Sequence, residues 1–394
     1  MRIAFLSAYV GKEYSRRYCE GKQYALSGSL KTLGIARALM LAGHDVTIFS
    51  SGLTIASTII KPFTETEEYP EGNLKVQYGY CCSYPRCSPI NEFMTSLKLR
   101  MVAYDFDVFI YYNITLGAAL SIGAFKRATK IIEYEDNVFN KALSGNKIKM
   151  LRYKVALFNY LISNTDAVLA VCLGLQLKDK LKYSLLTPGI VNDDVINNIS
   201  TRINRLNPNE PVKIILTGGI HYSKGGDILI KSMSYIKTPC IVSVYGNCEF
   251  TDDLKELIKG IPDRHKFYFK GYMKHVDLIK TLDADADILI NTTRSMGVGP
   301  QAAGFPFKMM EYAATGRPIV SSEIGRLNDY YNSHITYYDG EAPESVAAAI
   351  EDVILNYDAR VKMAMDLQKY VLSEFTILGT SRKLRTFLEE IKNK

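Results

Sequence analysis

The sequence is short of the residues that most catalytic signatures need. It has five histidines in 394 residues. None stands in an HExxH pattern, and no Ser-His-Asp setting or CxxC pair is evident, which removes the familiar metalloprotease, serine-hydrolase and dithiol chemistries. No apolar run is long enough to cross a bilayer. The most apolar segment, KVALFNYLISNTDAVLAV, is interrupted by Asn159, Asn164 and Asp166. The N-terminal MRIAFLSAYV has strand length and no cleavage site after it, so it does not read as a signal peptide. Short-period repeats and low-complexity stretches are lacking too. The 48 Lys and Arg outnumber the 41 Asp and Glu only mildly and are spread along the chain. That distribution argues against a nucleic-acid groove and suits an anionic small ligand or an anionic membrane surface.

Seven cysteines are an odd number in a large chain, which points to free thiols in a reducing compartment. The one cluster, YGYCCSYPRC with Cys81, Cys82 and Cys87, has no second ligand pair at a zinc spacing. A cytoplasmic protein is expected, compatible with a peripheral place on the inner face of a membrane. Neither a metal nor another cofactor is expected.

What is present is a doubly repeated α/β pattern. The length favours two domains. RIAFLS reads as a buried strand, LKTLGIARALMLAG as a helix stopped by Gly43, and DVTIFSS as the next strand. LKVQYGY, DVFIYYN, TKIIEYE and DAVLAVC continue the series. Continuous apolar strands alternating with helices predict a parallel sheet covered on both faces. The Asn-, Asp- and Pro-rich stretch around residues 191–211 reads as an interdomain linker. The alternation then restarts at VKIILTGG and runs through CIVSVYG, KFYFKGY, ADILINTT and PIVSSE. The expected division is 1–190, a linker at 191–211, 212–370, and a last helix at 371–394. Two such halves imply a cleft, with ligands beyond the carboxyl ends of the strands.

Four constellations lie at those ends. In IILTGGIHYSKGGDILI, Gly218 and Gly219 end a strand, and Lys224 and Gly225 precede a helix. Glycines permit close backbone approach and a Lys there can neutralise a phosphate; the alternative is a loop with a solvated Lys. In GFPFKMMEYAATGRPIVSS, Pro306 suits a first helical turn and Gly316 the C′ position, so the spacing predicts a helix over 306–315. Lys308 is electrostatically misplaced in the first turn unless it serves an anionic ligand. Glu311 shares its face and could accept from a vicinal diol. Local physics leaves that reading level with an ordinary i,i+3 surface ion pair. In KIIEYEDNVFN, Glu133, Glu135, Asp136 and Asn137 crowd a strand end, where a cationic or hydroxylated partner would relieve their repulsion; they could equally be loop acids that cap the next segment. Ser27–Gly28–Ser29 leads into the first helix, where backbone amides could meet a phosphate or a sugar hydroxyl. His44 reads as structural, and His221 and His275 as lone loop histidines.

The succession GG, KGGDILI, YG, FKGY and FPFKMMEYAATGRPIVSS resembles the donor domain of retaining glycosyltransferases with the GT-B fold, the family 4 or group 1 type. SGSLKTLGIARALMLAGHDVTIFSSG is similar to the opening of that group's acceptor domain. The likeness covers nearly the whole chain, and the FPxKxxEY…G-P string is its most specific part. It implies two Rossmann-like domains facing each other across a cleft, and a hexosyltransferase-type enzyme. The donor would be a nucleotide-sugar, with UDP favoured over GDP, bound mainly by the second half. Lys224 and Lys308 would hold the diphosphate, Glu311 the ribose, and Tyr272 would lie by the base. Gly28, Gly218, Gly219, Phe305 and Pro306 would line the donor. Glu135 and Asp136 match the acidic position facing the reacting sugar. The acceptor would be a glycan or lipid-linked hydroxyl, as in bacterial surface polysaccharide synthesis.

Two departures stand out. Gly219 stands where many members carry Arg, so phosphate affinity must come from the two lysines and backbone amides. Ala303 stands where many carry a Glu that touches the transferred sugar, which leaves the sugar open. Other readings on the same fold are a nucleotide-sugar epimerase, disfavoured by the scarce histidines and spread acids, and a non-catalytic nucleotide- or partner-binding protein.

Overall fold

The computed structural model describes the chain except residues 22–26, 85, 103–104, 126, 136–147, 173–174, 201–202, 221–223, 248–250, 295–304, 325 and 394, and only the backbone at 148–151. The chain divides into two compact units, Met1–Ile190 with Phe375–Lys394, and Val191–Glu374.

Unit 1 runs β1 (Arg2–Ser7), α1 (Lys12–Tyr18), α2 (Ser27–Leu41), β2 (Asp45–Ser50), β3 (Ile59–Ile60), β4 (Phe63–Tyr69), β5 (Gly72–Tyr78), β6 (Cys81–Cys82), α3 (Ser88–Met101), β7 (Val108–Tyr112), α4 (Leu116–Ile122), β8 (Thr129–Tyr134), α5 (Ile148–Ser163), β9 (Ala167–Ala170) and β10 (Tyr183–Leu186). Its main sheet has the order β10-β9-β8-β7-β1-β2-β5-β4. The order reverses between β1 and β7, both parallel to each other. That reversal is the switch point at which open α/β sheets leave a crevice. α2 ends as its sequence dictates. Gly43 takes φ +87, its N–H bonds the Met40 carbonyl, and the His44 N–H bonds that of Leu39. This is the paired closure of a Schellman motif.

The sheet is not wholly parallel: β4 pairs antiparallel with β5. The strand was hidden in the sequence because its buried positions are glutamates. Glu65 and Glu67 are 8% and 3% exposed. They accept from the backbone N–H groups of Glu13 (2.7 Å) and Lys12 (2.6 Å) and from the hydroxyls of Tyr78 (2.6 Å) and Tyr9 (2.8 Å). Apolar alternation cannot report a strand whose inner face is a satisfied carboxylate network.

Unit 2 runs α6 (Asp193–Ile196), β11 (Val212–Thr217), α7 (Gly226–Ser232), β12 (Cys240–Tyr245), α8 (Asp252–Lys259), β13 (Lys266–Gly271), α9 (His275–Asp285), β14 (Ile288–Asn291), α10 (Lys308–Thr315), β15 (Ile319–Ser322), α11 (Asn328–Tyr331), β16 (Thr336–Tyr338), α12 (Pro343–Leu355) and α13 (Tyr357–Glu374). Its six strands are parallel in the order β13-β12-β11-β14-β15-β16, with the reversal between β11 and β14. This is the 3-2-1-4-5-6 order of a Rossmann domain. The stretch read as linker lies in this unit and carries α6, capped by the Asn192 side chain on the Val195 N–H. The final helix, α14 (Ile377–Lys392), belongs to unit 1. It packs on α2, with Ile377, Leu384, Phe387, Leu388 and Ile391 in that unit's core. Among the described residues no helix is long and apolar enough to cross a membrane.

Candidate active site

In unit 2 the strand ends near the switch point carry glycines at positive φ. Gly218 follows β11 at φ +104, and its N–H bonds the Tyr245 carbonyl. Gly246 follows β12 at φ +148, where an added Cβ would lie 2.4 Å from the Gly218 carbonyl oxygen. Gly225, at φ +65, would press a Cβ to 1.9 Å from the Thr292 carbonyl oxygen after β14. Both contacts are with backbone, so only glycine fits. A buried Arg294 ties the same edge together. Its guanidinium donates to Asp227 of α7 at 2.8 and 3.0 Å and lies 3.0 Å from Glu341. Burial works against the charge of Asp227, but Arg294 outweighs it and holds the carboxyl below its ordinary range.

Lys308 is the first residue of α10. Its Nζ donates to the Thr217 carbonyl at 3.1 Å, at the end of β11. One helical turn on, the Tyr312 hydroxyl accepts from the Thr217 N–H at 2.8 Å and lies 2.9 Å from the Thr217 hydroxyl. Thr217 thus fixes the start of α10 against the switch point. Burial, then the positive charge of Lys224, push the Lys308 ammonium down from 10.5 to about 7. Among the described residues, neither lysine has a carboxylate partner. Two like charges without a carboxylate partner are suited to an anion.

Glu311 does not bond Lys308. Its Oε1 accepts from His275 Nε2 at 2.7 Å, with the two side chains 12% and 30% exposed. His275 opens α9, and its pKa is raised: the hydrogen bond to Glu311 outweighs burial, with further attraction from Glu311 and Asp194. The first turns of α9 and α10 therefore meet at this pair. The sequence left His275 as a lone loop residue; the available signal was its place just beyond the FKGY strand end.

The other unit-2 candidates divide. Gly219 follows Gly218 in the same strand-end loop, and Lys224 is exposed. Tyr272 is 70% exposed, directly after Gly271 at φ +73. Pro306 starts the turn into α10, its carbonyl accepting from Met309 N–H at 2.9 Å. Phe305 is 5% exposed, its ring edge-on to Tyr330 and Tyr331, so its side chain packs inward and leaves only its backbone to line a site. Asp136, His221 and Ala303 lie outside the described residues.

In unit 1, Gly28 and Glu135 are joined by a residue the sequence did not single out. Tyr112, the last residue of β7, donates its hydroxyl to Glu135 Oε2. A Cβ on Gly28 would lie 2.8 Å from that hydroxyl. The Glu135 N–H bonds Asn113 Oδ1 at 2.9 Å. The cluster sits at the β1/β7 switch point. Glu133 is not part of it and corrects the expected crowding of acids. It is fully buried and paired at 2.5 Å with an equally buried Lys31 of α2. Strand pleating turns Glu133 and Glu135, two residues apart, to one side, but β8 ends at Tyr134, so alternation no longer governs Glu135.

The two Rossmann-like units have the GT-B fold. Residues 211–356 match the family model described as glycosyl transferases group 1. Solved structures with the same fold include Anabaena Alr3699/HepE in complex with UDP (14% identity, 99% of this chain and 100% of that one, TM-score 0.66). Sucrose-phosphate synthase from Thermosynechococcus elongatus is similar over 100% of both chains (16% identity, TM-score 0.68). So is an E. coli structure described as trehalose-6-phosphate bound with UDP-2-fluoro glucose (10% identity, 100% of this chain and 99% of that one, TM-score 0.67). No curated protein matches the sequence.

Proposed function

We propose that the protein transfers a sugar from a nucleotide-sugar, UDP-linked in preference to GDP-linked, to a hydroxyl of a glycan or lipid-linked acceptor, with retention at the anomeric carbon. The observation that carries this is the pair Lys224 and Lys308, two ammonium groups without a carboxylate partner at the β11/β14 switch point. A diphosphate is the anion that suits them. Glu311, on the same helix face, takes the ribose. The UDP held by the HepE structures supports this assignment.

The mechanism follows from where charge develops. As the glycosidic bond to phosphate breaks, negative charge grows on the diphosphate, and Lys224, Lys308 and the first turn of α10 stabilise it. Positive charge grows on the sugar, and Glu135, oriented by Tyr112, is the proposed carboxylate to face it, with Asp136 beside it in sequence. The departing phosphate oxygen takes the acceptor's proton, so no separate protein base and no metal is required. Bacterial surface polysaccharide synthesis, at the inner face of the membrane, suits such a reaction.

The test has two parts. Nucleoside diphosphate release from UDP- and GDP-sugars shows turnover and separates an enzyme from a binder. Lys308→Ala and Glu311→Ala should each weaken UDP binding in calorimetry by tenfold or more, since each removes a charged hydrogen-bonding group. Unchanged affinity in both variants would remove the site assignment.

A further inference from the structure

We propose that His275 is a positioning residue of the donor site: it holds the Glu311 carboxylate away from Lys308 and aims it at the ribose diol. The proposal rests on the donor reading given above.

The geometry begins with spacing. Lys308 and Glu311 are three apart on α10, close enough for a side-chain ion pair. Such a pair would quench both groups. The Lys would lose its call on a diphosphate, and the carboxylate would spend its lone pairs on an ammonium. The structure prevents this from two sides. Thr217 takes the Lys308 ammonium at 3.1 Å through its carbonyl, a neutral acceptor that leaves the charge uncompensated. His275 takes Glu311 Oε1 at 2.7 Å. Oε2 has no hydrogen-bond partner among the described residues, so one oxygen is anchored and the other is presented.

The placement of His275 has no better structural explanation. It is the first residue of α9, where the helix dipole disfavours a cationic side chain. A carboxylate there would cap the helix better. Its ring is 30% exposed, so it does not fill the core. Asp194 of α6 is the other acidic group that attracts it, and no bond to Asp194 competes with Glu311. Either the neutral Nε2–H tautomer or the imidazolium can make the bond, so the anchor persists whichever form is present.

The experiment measures hydroxyl discrimination by calorimetry with UDP, 2′-deoxy-UDP and 3′-deoxy-UDP, or with the GDP set if GDP gives the larger thermal shift. The native protein should prefer the ribonucleotide over at least one deoxy form by roughly 10- to 100-fold, the range for a hydrogen bond to a charged acceptor. His275→Ala should bring that ratio to within about threefold of unity, and His275→Gln, which keeps an N–H donor, should restore most of it. A purely structural role for His275 would lower melting temperature without changing the ratio. His275→Ala with the native ratio overturns the proposal, as does His275→Gln behaving like His275→Ala. Should His275→Ala not fold, the comparison of His275→Gln with His275→Leu decides in the same way. Glu311→Ala separates the layers. If it binds UDP as the native protein does, the donor reading itself fails. If it loses UDP while His275→Ala keeps the ratio, only the role of His275 fails.

Discussion

Lys308 and Glu311 occupy one face of one helical turn, yet each is bonded elsewhere, the Lys to the Thr217 carbonyl and the Glu to His275. The turn therefore keeps two opposite charges unspent within reach of each other.

Donor binding should take up protons. Lys308 titrates at about 7 because it is buried beside Lys224, and a bound diphosphate favours its charged form. Near pH 8 the free protein holds it mostly neutral, and binding of UDP should take up roughly one proton per site. Well below pH 6 the uptake should vanish, because the group is already charged. Calorimetry in buffers of different ionisation enthalpy reads the number directly, and Lys308→Met should abolish it.

The His275–Glu311 pair predicts a sign for stability against pH. The folded pKa of His275 lies above its unfolded value. Its contribution is thus fully present below about pH 6.5 and is lost as pH rises through the folded value. The melting temperature of the native protein minus that of His275→Gln should fall between acid and neutral pH. A flat or rising difference would contradict the pairing.

The buried Lys31–Glu133 pair should tolerate joint but not single replacement. Glu133→Gln or Lys31→Met removes one charge of this buried pair and should cost about 3 to 5 kcal/mol. The double variant Lys31→Met/Glu133→Leu should recover most of that loss. Denaturant melts of the three variants provide the comparison.

Tyr112→Phe should separate turnover from binding. It removes the hydroxyl that holds Glu135 and leaves unit 2 untouched. UDP affinity should stay native, while turnover falls by about 10- to 100-fold, the usual result of a misplaced group. Loss of UDP binding would show that the hydroxyl serves the nucleotide instead.

Gly225→Ala should fail structurally. The residue sits at φ +65 and its Cβ would meet the Thr292 carbonyl oxygen at 1.9 Å. A loss of more than about 1 kcal/mol, with weakened UDP binding, is expected from thermal and calorimetric titrations.

Much of the fold was legible because its strands are continuous apolar runs. β1, β2, β7, β8, β11, β12 and β14 are each nearly or wholly buried, and each is visible in the sequence as a block of Ile, Val, Leu or Phe. β4 was not legible, since glutamates fill its inner face. β10 and β16 are edge strands of four and three residues, too short for a periodic signal. Within the site, residue type and spacing singled out Lys308, Glu311 and Gly225. Tyr112 and Thr217 were not singled out, and His275 was read only as a lone loop residue, for a shared reason. Each acts through a partner far away in sequence, brought near only by the crossing of parallel strands.

The final helix has a consequence for how the chain is made. α14 completes the core of unit 1, against α2, only after residues 191–374 have been synthesised. Unit 2 is local in sequence and can finish folding while unit 1 still lacks a wall. Synthesis of unit 2 therefore separates the two parts of the unit 1 core in time. During that interval the apolar face of α2 has to wait for its cover, and that is when the nascent chain is most exposed to aggregation.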